Sequence, residues 1–195
     1  MDFFSNFLYD RHVGIISELI FAPFTQPLME INQLVPNFEL PDLNGKMYHL
    51  SDYRGRIVIV NFWSCECPHS ERTDKAILSM FVQWQDDVTM LTIASNRNES
   101  AQALRKAAES RCLPNVLQDA DCAVANRFEA QTTPHVFVID RAGILRYRGS
   151  VDDVTFRQRK PTRFFLDEAV ESLLAGQFPT LTESPAYGCA IVREV

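Results

Sequence analysis

The sequence lacks a long uncharged apolar segment. No run approaches the ~18 residues that a membrane-spanning helix requires, which argues against a protein that spans a membrane. The sequence also lacks an excess of basic residues, since 19 lysines and arginines stand against 25 aspartates and glutamates, for a formal net charge of −6. That balance argues against a nucleic acid as the main partner.

The cysteine content does not suit a protein held together by disulfides. There are five cysteines, an odd number, in 195 residues of which 46% are hydrophobic. A chain of this length, near the ~150 residues of one domain, builds a core without cross-links. The N-terminal segment carries Asp2 where a secretory signal carries lysine or arginine. We therefore expect a cytoplasmic protein with reduced thiols, in which clustered cysteines serve chemistry or metal binding.

The chain divides into three predicted parts. Residues 1–33 form a helical extension, because apolar residues between Ile15 and Ile20 recur at helical spacing. This helix is expected to pack on the main domain or across a homodimer. Residues 34–176 carry the regular pattern of the domain. Residues 177–195 form a tail that is rich in proline and threonine and contains Cys189.

The order of predicted elements indicates an α/β fold with a mixed sheet. An N-terminal β-hairpin is expected to turn at Asn44–Gly45, where both residues tolerate positive φ. Strand–helix–strand alternation requires parallel pairing, and the tight turn at 140–143 requires antiparallel pairing. A mixed central sheet flanked by helices follows. Strands are predicted at 57–63, 88–94, 115–117, 135–139 and 145–148, and helices from Pro68, at 99–111, at 122–128 and up to Gly176.

A cysteine cluster lies where the first central strand passes into a helix. Residues 63–70 read W-S-C-E-C-P-H-S, and ligands of open α/β sheets gather at the carboxyl ends of strands. Cys67 precedes Pro68, the predicted first helical residue, so unpaired N–H groups and the positive end of the helix dipole face its sulfur. Both stabilise the thiolate, which is the nucleophilic form. His69 can add charge or move a proton, while two nearby glutamates oppose ionisation.

The other cysteines suggest alternatives. Cys112 and Cys122 occur amid helical apolar spacing and are expected to be buried and structural. Cys65, Cys67 and His69 alternate, and together with a histidine at position 135 they form a candidate Cu(I) or Zn²⁺ site. A binding module that keeps the fold without catalysis is a further alternative. A Thr133–Pro134 step before a buried strand can hold a cis bond beside the site.

Taken together, these motifs resemble the thioredoxin superfamily, and within it the redoxin branch of alkyl hydroperoxide reductases and thiol-specific antioxidants. The resemblance covers about residues 34–193 and includes a bacterial thioredoxin-like subgroup. It implies a thioredoxin-like fold. The matching segments are 57–70, which is similar to F-W-x-x-x-C-P-x-C, the cis-proline loop and strand at 133–140, the redoxin motifs at 35–40 and 50–55, and the subgroup motifs at 146–149, 152–153 and 187–191.

The resemblance implies a thiol–disulfide oxidoreductase that uses a single nucleophilic cysteine. Cys67 matches the nucleophile, Pro68 the proline that follows it, and Pro134 the cis-proline. Thiol peroxidase activity is the alternative. The peroxiredoxin pattern P-x-x-x-T/S-x-x-C is half present, because Ser64 fits but Val60 stands in place of proline.

The second cysteine of the C-x-x-C motif is absent. Ser70 occupies its position, so release of a mixed disulfide requires another attacking thiol. Cys189 is the leading candidate, with Cys65 or a small external thiol as alternatives. We expect a thiol or disulfide substrate, protein or small molecule, thioredoxin or a low-molecular-weight thiol as reductant, and no cofactor. The expected catalytic residues are Cys67, Pro134 and Cys189, supported by Trp63, Ser64, Cys65, Pro68, His69, Ser70 and Thr133.

Overall fold

Ile57–Trp63 forms the central strand of a five-stranded mixed sheet in the computed structural model, which describes residues 29–194. The predicted helix at 1–33 lies almost wholly outside the described residues. Every residue of this strand is buried, as expected for a β-rich apolar run covered on both faces. It pairs in parallel with the strand at 88–94 and antiparallel with the strand at 135–139. The predicted α/β class with a mixed sheet is therefore confirmed.

The remaining elements follow the predicted order closely. The elements are β1 (Glu39–Pro41), β2 (Met47–His49), β3 (Ile57–Trp63), α1 (Pro68–Trp84), β4 (Val88–Ala94), α2 (Ala101–Ser110), β5 (Val116–Gln118), α3 (Ala123–Arg127), β6 (Thr132–Thr133), β7 (His135–Ile139), β8 (Leu145–Gly149), α4 (Phe165–Leu174) and β9 (Cys189–Ala190). The central sheet has the strand order β5-β4-β3-β7-β8, and two separate two-stranded sheets are formed by β1 with β2 and by β6 with β9.

The two faces of β3 pack into separate layers because side chains alternate along a strand. Ile57 and Ile59 belong to the apolar cluster that includes α1 and α4. Val58 and Val60 belong to the cluster formed with the hairpin, α3 and Ile191 from the C-terminal tail. The site at the carboxyl end of β3 thus stands on a strand that is fixed from both sides. No helix among residues 29–194 has the length and apolarity needed to cross a bilayer.

The N-terminal hairpin forms, but its predicted two-residue turn is wrong. Pro41 pairs with Met47, which leaves residues 42–46 in the loop, and Gly45 has a φ of +86° whereas Asn44 does not adopt a positive φ. The carboxylate of Asp42 accepts the N–H groups of Asn44 and of Lys46 at 2.8 and 2.9 Å. The Asp42 carboxylate thus takes the place of a backbone acceptor in the turn and stabilises the longer loop.

Cys112 also differs from its prediction, whereas Cys122 does not. Cys112 is exposed, because α2 ends at Ser110 and Cys112 follows it with a left-handed φ of 55°. It therefore does not continue the buried stripe that its spacing indicated. Cys122 is buried, at 1% exposure, in the cluster below the hairpin.

The tail folds back over the domain. Residues 182–193, which we call the strap, cross the carboxyl end of β3 and bring β9 against β6. The pairing is antiparallel, with Thr132 opposite Ala190 and Thr133 opposite Cys189. The strap therefore carries Cys189 to the end of the sheet where Cys67 lies.

Candidate active site

Cys67 occupies the position before the first residue of α1. The helix begins at Pro68, as predicted, and the Cys67 side chain faces the backbone N–H of Ser70, in the first turn. An N–H in the first turn of a helix has no partner within the helix, so a thiolate at this position acts as its cap. Cys67 is 2% exposed, which places the sulfur in a desolvated setting.

The loop between β3 and α1 is held by a buried serine and glutamate. Ser64 Oγ accepts the N–H groups of Glu66 and Cys67 at 3.2 and 3.1 Å, and donates to Glu99 Oε1 at 2.6 Å. The same Glu99 oxygen accepts the Glu66 N–H at 3.1 Å. Sequence reasoning missed Glu99. The only feature of the sequence that could have pointed to Glu99 is its position directly before Ser100, the N-cap of α2.

Two sulfurs meet at this site. Cys67 Sγ lies 2.8 Å from Cys189 Sγ and 2.9 Å from the carbonyl oxygen of Thr133. A disulfide bond measures about 2.05 Å, so the two groups are free thiols in contact. Gly188 makes the approach possible, because a Cβ there would lie 2.1 Å from the Thr133 carbonyl oxygen. The structure thus joins the predicted residues Cys67, Cys189 and Thr133, together with Pro134, whose peptide bond to Thr133 is cis.

The thiols of Cys67, Cys189 and Cys65 differ in acidity. Burial raises the pKa of Cys67, but the Cys189 thiol and the Ser70 N–H outweigh it, so the pKa falls below its usual value. Burial and the adjacent Cys67 raise the pKa of Cys189 to about 11. Burial and Glu99 raise the pKa of Cys65 to about 12. Cys67 is therefore the most acidic of these thiols and the one that ionises first as the pH rises.

These directions predict separate pH profiles for alkylation. The thiolate is the reactive form, so the rate at Cys67 should fall only as the pH drops through its lowered pKa. The midpoint for Cys67 should lie below the ~8.5 of an ordinary cysteine, while Cys65 should stay largely unreactive until above about pH 10. Isotope-coded iodoacetamide and peptide mass spectrometry measure both sites in one digest. Equal midpoints at Cys65 and Cys67 would contradict this assignment.

Cys65 belongs to a different part of the surface. It is half-buried and lines a cleft of about 710 Å³ between α1 and α2, whose lining includes neither Cys67 nor Cys189. Its carbonyl oxygen accepts a hydrogen bond from Arg111 at 2.7 Å. The alternative that Cys65 resolves a mixed disulfide on Cys67 is therefore not supported by the contacts of the Cys65 or Cys67 sulfur.

The side chains of the remaining predicted residues support the site without contacting its sulfurs. Trp63 is fully buried and donates from Nε1 to Asp74 at 3.1 Å. Ser70 is fully buried, and its hydroxyl accepts the Ser64 N–H at 3.4 Å. His69 packs its ring edge-on against Tyr187 of the strap, 5.0 Å between centroids. Among the described contacts, no hydrogen bond joins the His69 ring to the Cys67 sulfur.

The alternative metal site is not assembled. Within residues 29–194, no three histidine, cysteine, aspartate or glutamate side chains lie close enough together to hold an ion. His135 is buried against Phe137, with 4.5 Å between ring centroids, and its Nδ1 accepts the Gln131 N–H. Burial and the nearby Arg148 lower its pKa to about 4. His135 is thus a core residue, and the predicted ligands Cys65, Cys67 and His69 do not converge with it.

Relatives of the chain are found by sequence. The sequence model of the AhpC/TSA family matches residues 31–148. The thiol-disulfide oxidoreductase ResA of Geobacillus kaustophilus is 31% identical over 115 residues, which cover 58% of this chain and 65% of the relative. The chain therefore spans slightly less than two thirds of that relative's length.

Solved structures show the same fold. A conserved protein of Geobacillus kaustophilus aligns with a TM-score of 0.78 and 23% identity, covering 86% of this chain and 94% of the other. The thioredoxin domain of a thiol-disulfide oxidoreductase from Bacteroides vulgatus aligns with a TM-score of 0.56 and 20% identity, covering 67% and 93%. At these identities the likeness establishes the thioredoxin-like fold alone. Because the family model matches residues 31–148, more than half of the chain, this protein is a thioredoxin-like member of the AhpC/TSA family.

Proposed function

We propose that this protein is a thiol–disulfide oxidoreductase in which Cys67 is the nucleophile and Cys189 is the resolving thiol. The observation that carries the proposal is the 2.8 Å contact between the two sulfurs at the N-terminus of α1. Their acidities differ in the direction that the reaction requires, with a lowered pKa at Cys67 and a raised one at Cys189. The name of the ResA relative supports the same reaction class.

The first step is attack on a substrate disulfide. The Cys67 thiolate forms a bond to one substrate sulfur, the substrate S–S bond breaks, and the other sulfur leaves as a thiolate that takes a proton from solvent. The Ser70 N–H and the adjacent Cys189 thiol stabilise the negative charge at Cys67 before attack. The backbone carbonyl of Thr133, directly before the cis bond to Pro134, lies 2.9 Å from the reacting sulfur.

The second step releases the substrate. Cys189 gives its proton to solvent and attacks the Cys67 sulfur, the mixed disulfide breaks, and the second substrate sulfur leaves as a thiolate that takes a proton from solvent. The substrate gains two electrons, and the protein loses them as its two thiols become the Cys67–Cys189 disulfide. Thioredoxin or a low-molecular-weight thiol is the proposed reductant that restores both thiols. No cofactor takes part, because sulfur carries the electrons.

Thiol peroxidase activity is less well supported by the contacts. The peroxiredoxin-like pattern would place the hydroxyl of Ser64 at the reacting sulfur. In the structure this hydroxyl donates to Glu99 and accepts the Cys67 backbone N–H. It therefore shapes the loop and is not directed at the sulfur, which favours disulfide exchange.

Counting thiols after a single turnover tests the proposal. Fully reduced protein has five thiols, and one equivalent of a small disulfide should leave three, because two are consumed in an internal bridge. The same reaction should release two equivalents of small thiol. Retention of all five protein thiols would contradict the proposed function, and a stable adduct that consumes one thiol would contradict the resolving step.

A further inference from the structure

We infer that the strap selects the substrate of Cys67, admitting low-molecular-weight disulfides and excluding disulfides within extended polypeptides. This inference rests on the proposed function and adds a substrate class to it. Its basis is that β9 already occupies the backbone edge beside Cys67 on which an extended chain would pair. The strap is held on both sides of that edge.

The occupied edge is the short strand β6. A strand edge with free N–H and C=O groups is a common docking place for an extended peptide. Here Thr132 and Thr133 pair with Ala190 and Cys189, and the N–H of Ile191 continues the contact to the carbonyl oxygen of Gln131 at 3.0 Å. The backbone groups next to Cys67 are thus used within the chain.

Before the edge, the strap is anchored to β8 and the residues after it. The Ser184 hydroxyl lies 2.7 Å from the Tyr147 hydroxyl and accepts the Ser150 N–H at 3.0 Å. The Ser150 hydroxyl donates to the Pro185 carbonyl at 2.6 Å. The Ser184 N–H donates to the Arg148 carbonyl at 3.1 Å. This anchor joins the strap to a buried part of the sheet.

After the edge, a second anchor fixes the strap to the core. Ile191 is 6% exposed within the apolar cluster on one face of β3. The Val192 carbonyl accepts the Arg97 N–H at 3.0 Å, and the Val192 N–H donates to the Asn96 side chain at 2.8 Å. Arg193 donates to the Asn126 side chain at 2.8 Å. Lifting β9 from its edge therefore requires breaking polar contacts and exposing Ile191.

A smaller movement suffices for a small molecule. The stretch 186–188 between the anchors is half-buried, and Tyr187 within it packs edge-on against His69. Displacing this stretch uncovers the sulfurs without separating β9 from β6. An extended polypeptide needs the edge itself, whereas a small disulfide needs only the opening. The two substrate classes therefore differ in how much of the strap must move.

The test compares two probes that share the same leaving group. One is N-acetylcysteine amide joined by a disulfide to 5-thio-2-nitrobenzoate, and the other is an extended peptide carrying the same adduct on a central cysteine. Cys67 attacks the cysteine sulfur and releases the coloured thiolate. The Cys189→Ser variant isolates this first step, because its mixed disulfide cannot be resolved internally. Rates are divided by those of free N-acetylcysteine, which removes intrinsic differences between the probes.

In the Cys189→Ser variant we expect the normalised rate with the small probe to exceed that with the peptide probe by at least ~10-fold. The peptide probe must break one or two hydrogen bonds of the strap, which lowers its rate by about this factor. Adding Gly188→Ala should reduce this preference several-fold, because the new Cβ would meet the Thr133 carbonyl at 2.1 Å and push β9 from its edge. Gly45→Ala is the control for backbone strain away from the strap, since its φ of +86° disfavours a side chain while a Cβ there meets nothing within 4 Å. Arg193→Ala, which weakens the second anchor, should act in the same direction as Gly188→Ala.

The outcomes separate the inference from the function on which it rests. Equal normalised rates for the two probes, or a preference that neither Gly188→Ala nor Arg193→Ala changes, would overturn strap selection while leaving disulfide exchange intact. Failure of Cys67 to form a mixed disulfide with either probe would overturn the proposed function, and the inference with it.

Discussion

Cys67→Ser is expected to lower disulfide-reductase turnover by at least ~10³-fold, because a serine hydroxyl remains protonated where the thiol ionises and so provides no nucleophile. The assay is turnover of a small disulfide with thioredoxin or a small thiol as reductant. Serine is close to cysteine in size and Cys67 lies at a loop–helix boundary, so the variant should fold. Its unfolding transition should be measured beside that of the parent protein.

Cys112→Ser is the control for this prediction. Cys112 is exposed and lies beyond the end of α2, so its loss should leave turnover unchanged. A Cys67→Ser variant that kept a tenth or more of parent turnover would contradict the role of Cys67. A loss of activity in Cys112→Ser as well would show that the assay responds to thiol loss in general.

Cys189→Ser is expected to lower turnover by at least ~10²-fold while leaving the first step intact. Resolution by a thiol held in contact is effectively intramolecular, with an advantage that reaches effective molarities of ~10⁵ M or more in well-oriented systems. A millimolar external thiol cannot match this rate. The mixed disulfide between Cys67 and the substrate should therefore accumulate, and intact-protein mass spectrometry should show the adduct within one turnover.

Cys65→Ser supplies the comparison for the resolving step. The Cys65 thiol has a pKa of about 12 and lines the cleft between α1 and α2, so its loss should not cause a Cys67 adduct to accumulate. If Cys65→Ser accumulated the adduct and Cys189→Ser did not, the resolving role would belong to Cys65. If neither variant accumulated it, an external thiol would resolve Cys67.

The nucleophile was predictable because its signals are local. A continuous β-rich run ending at Trp63 and a proline at the first helical position place Cys67 at a helix N-terminus without any knowledge of the rest of the chain. The strands of the sheet were predictable for the same reason, since burial on both faces leaves a pattern in each segment. The turn at 42–46 was not, because the Asp42 side chain overrides the preference of Asn44–Gly45.

The rest of the site depends on contacts between distant segments. Cys189 could be named as a candidate from the sequence, but its contact with Cys67 arises from the pairing of β6 with β9 and from the absence of a side chain at Gly188. Glu99 reads in sequence as an ordinary acidic residue before a helix cap. Its burial beside Ser64 appears only when β4 and β3 lie side by side.

Cys189 lies outside the part of the chain that the family model matches. The AhpC/TSA match ends at residue 148, so it covers Cys67 and Pro134 but not the strap. The shared fold therefore supports the nucleophile more directly than it supports its partner. The partner has to be established on this chain.

A disulfide map of the singly oxidised protein tests the pairing directly. Reduced, metal-free protein would receive one equivalent of a small disulfide, followed by rapid blocking of free thiols, digestion and mass spectrometry. The predicted product is a peptide pair joined through Cys67 and Cys189, with Cys65, Cys112 and Cys122 recovered in blocked form. A bridge from Cys67 to Cys65, or a Cys67 that stays reduced, would contradict the proposed mechanism.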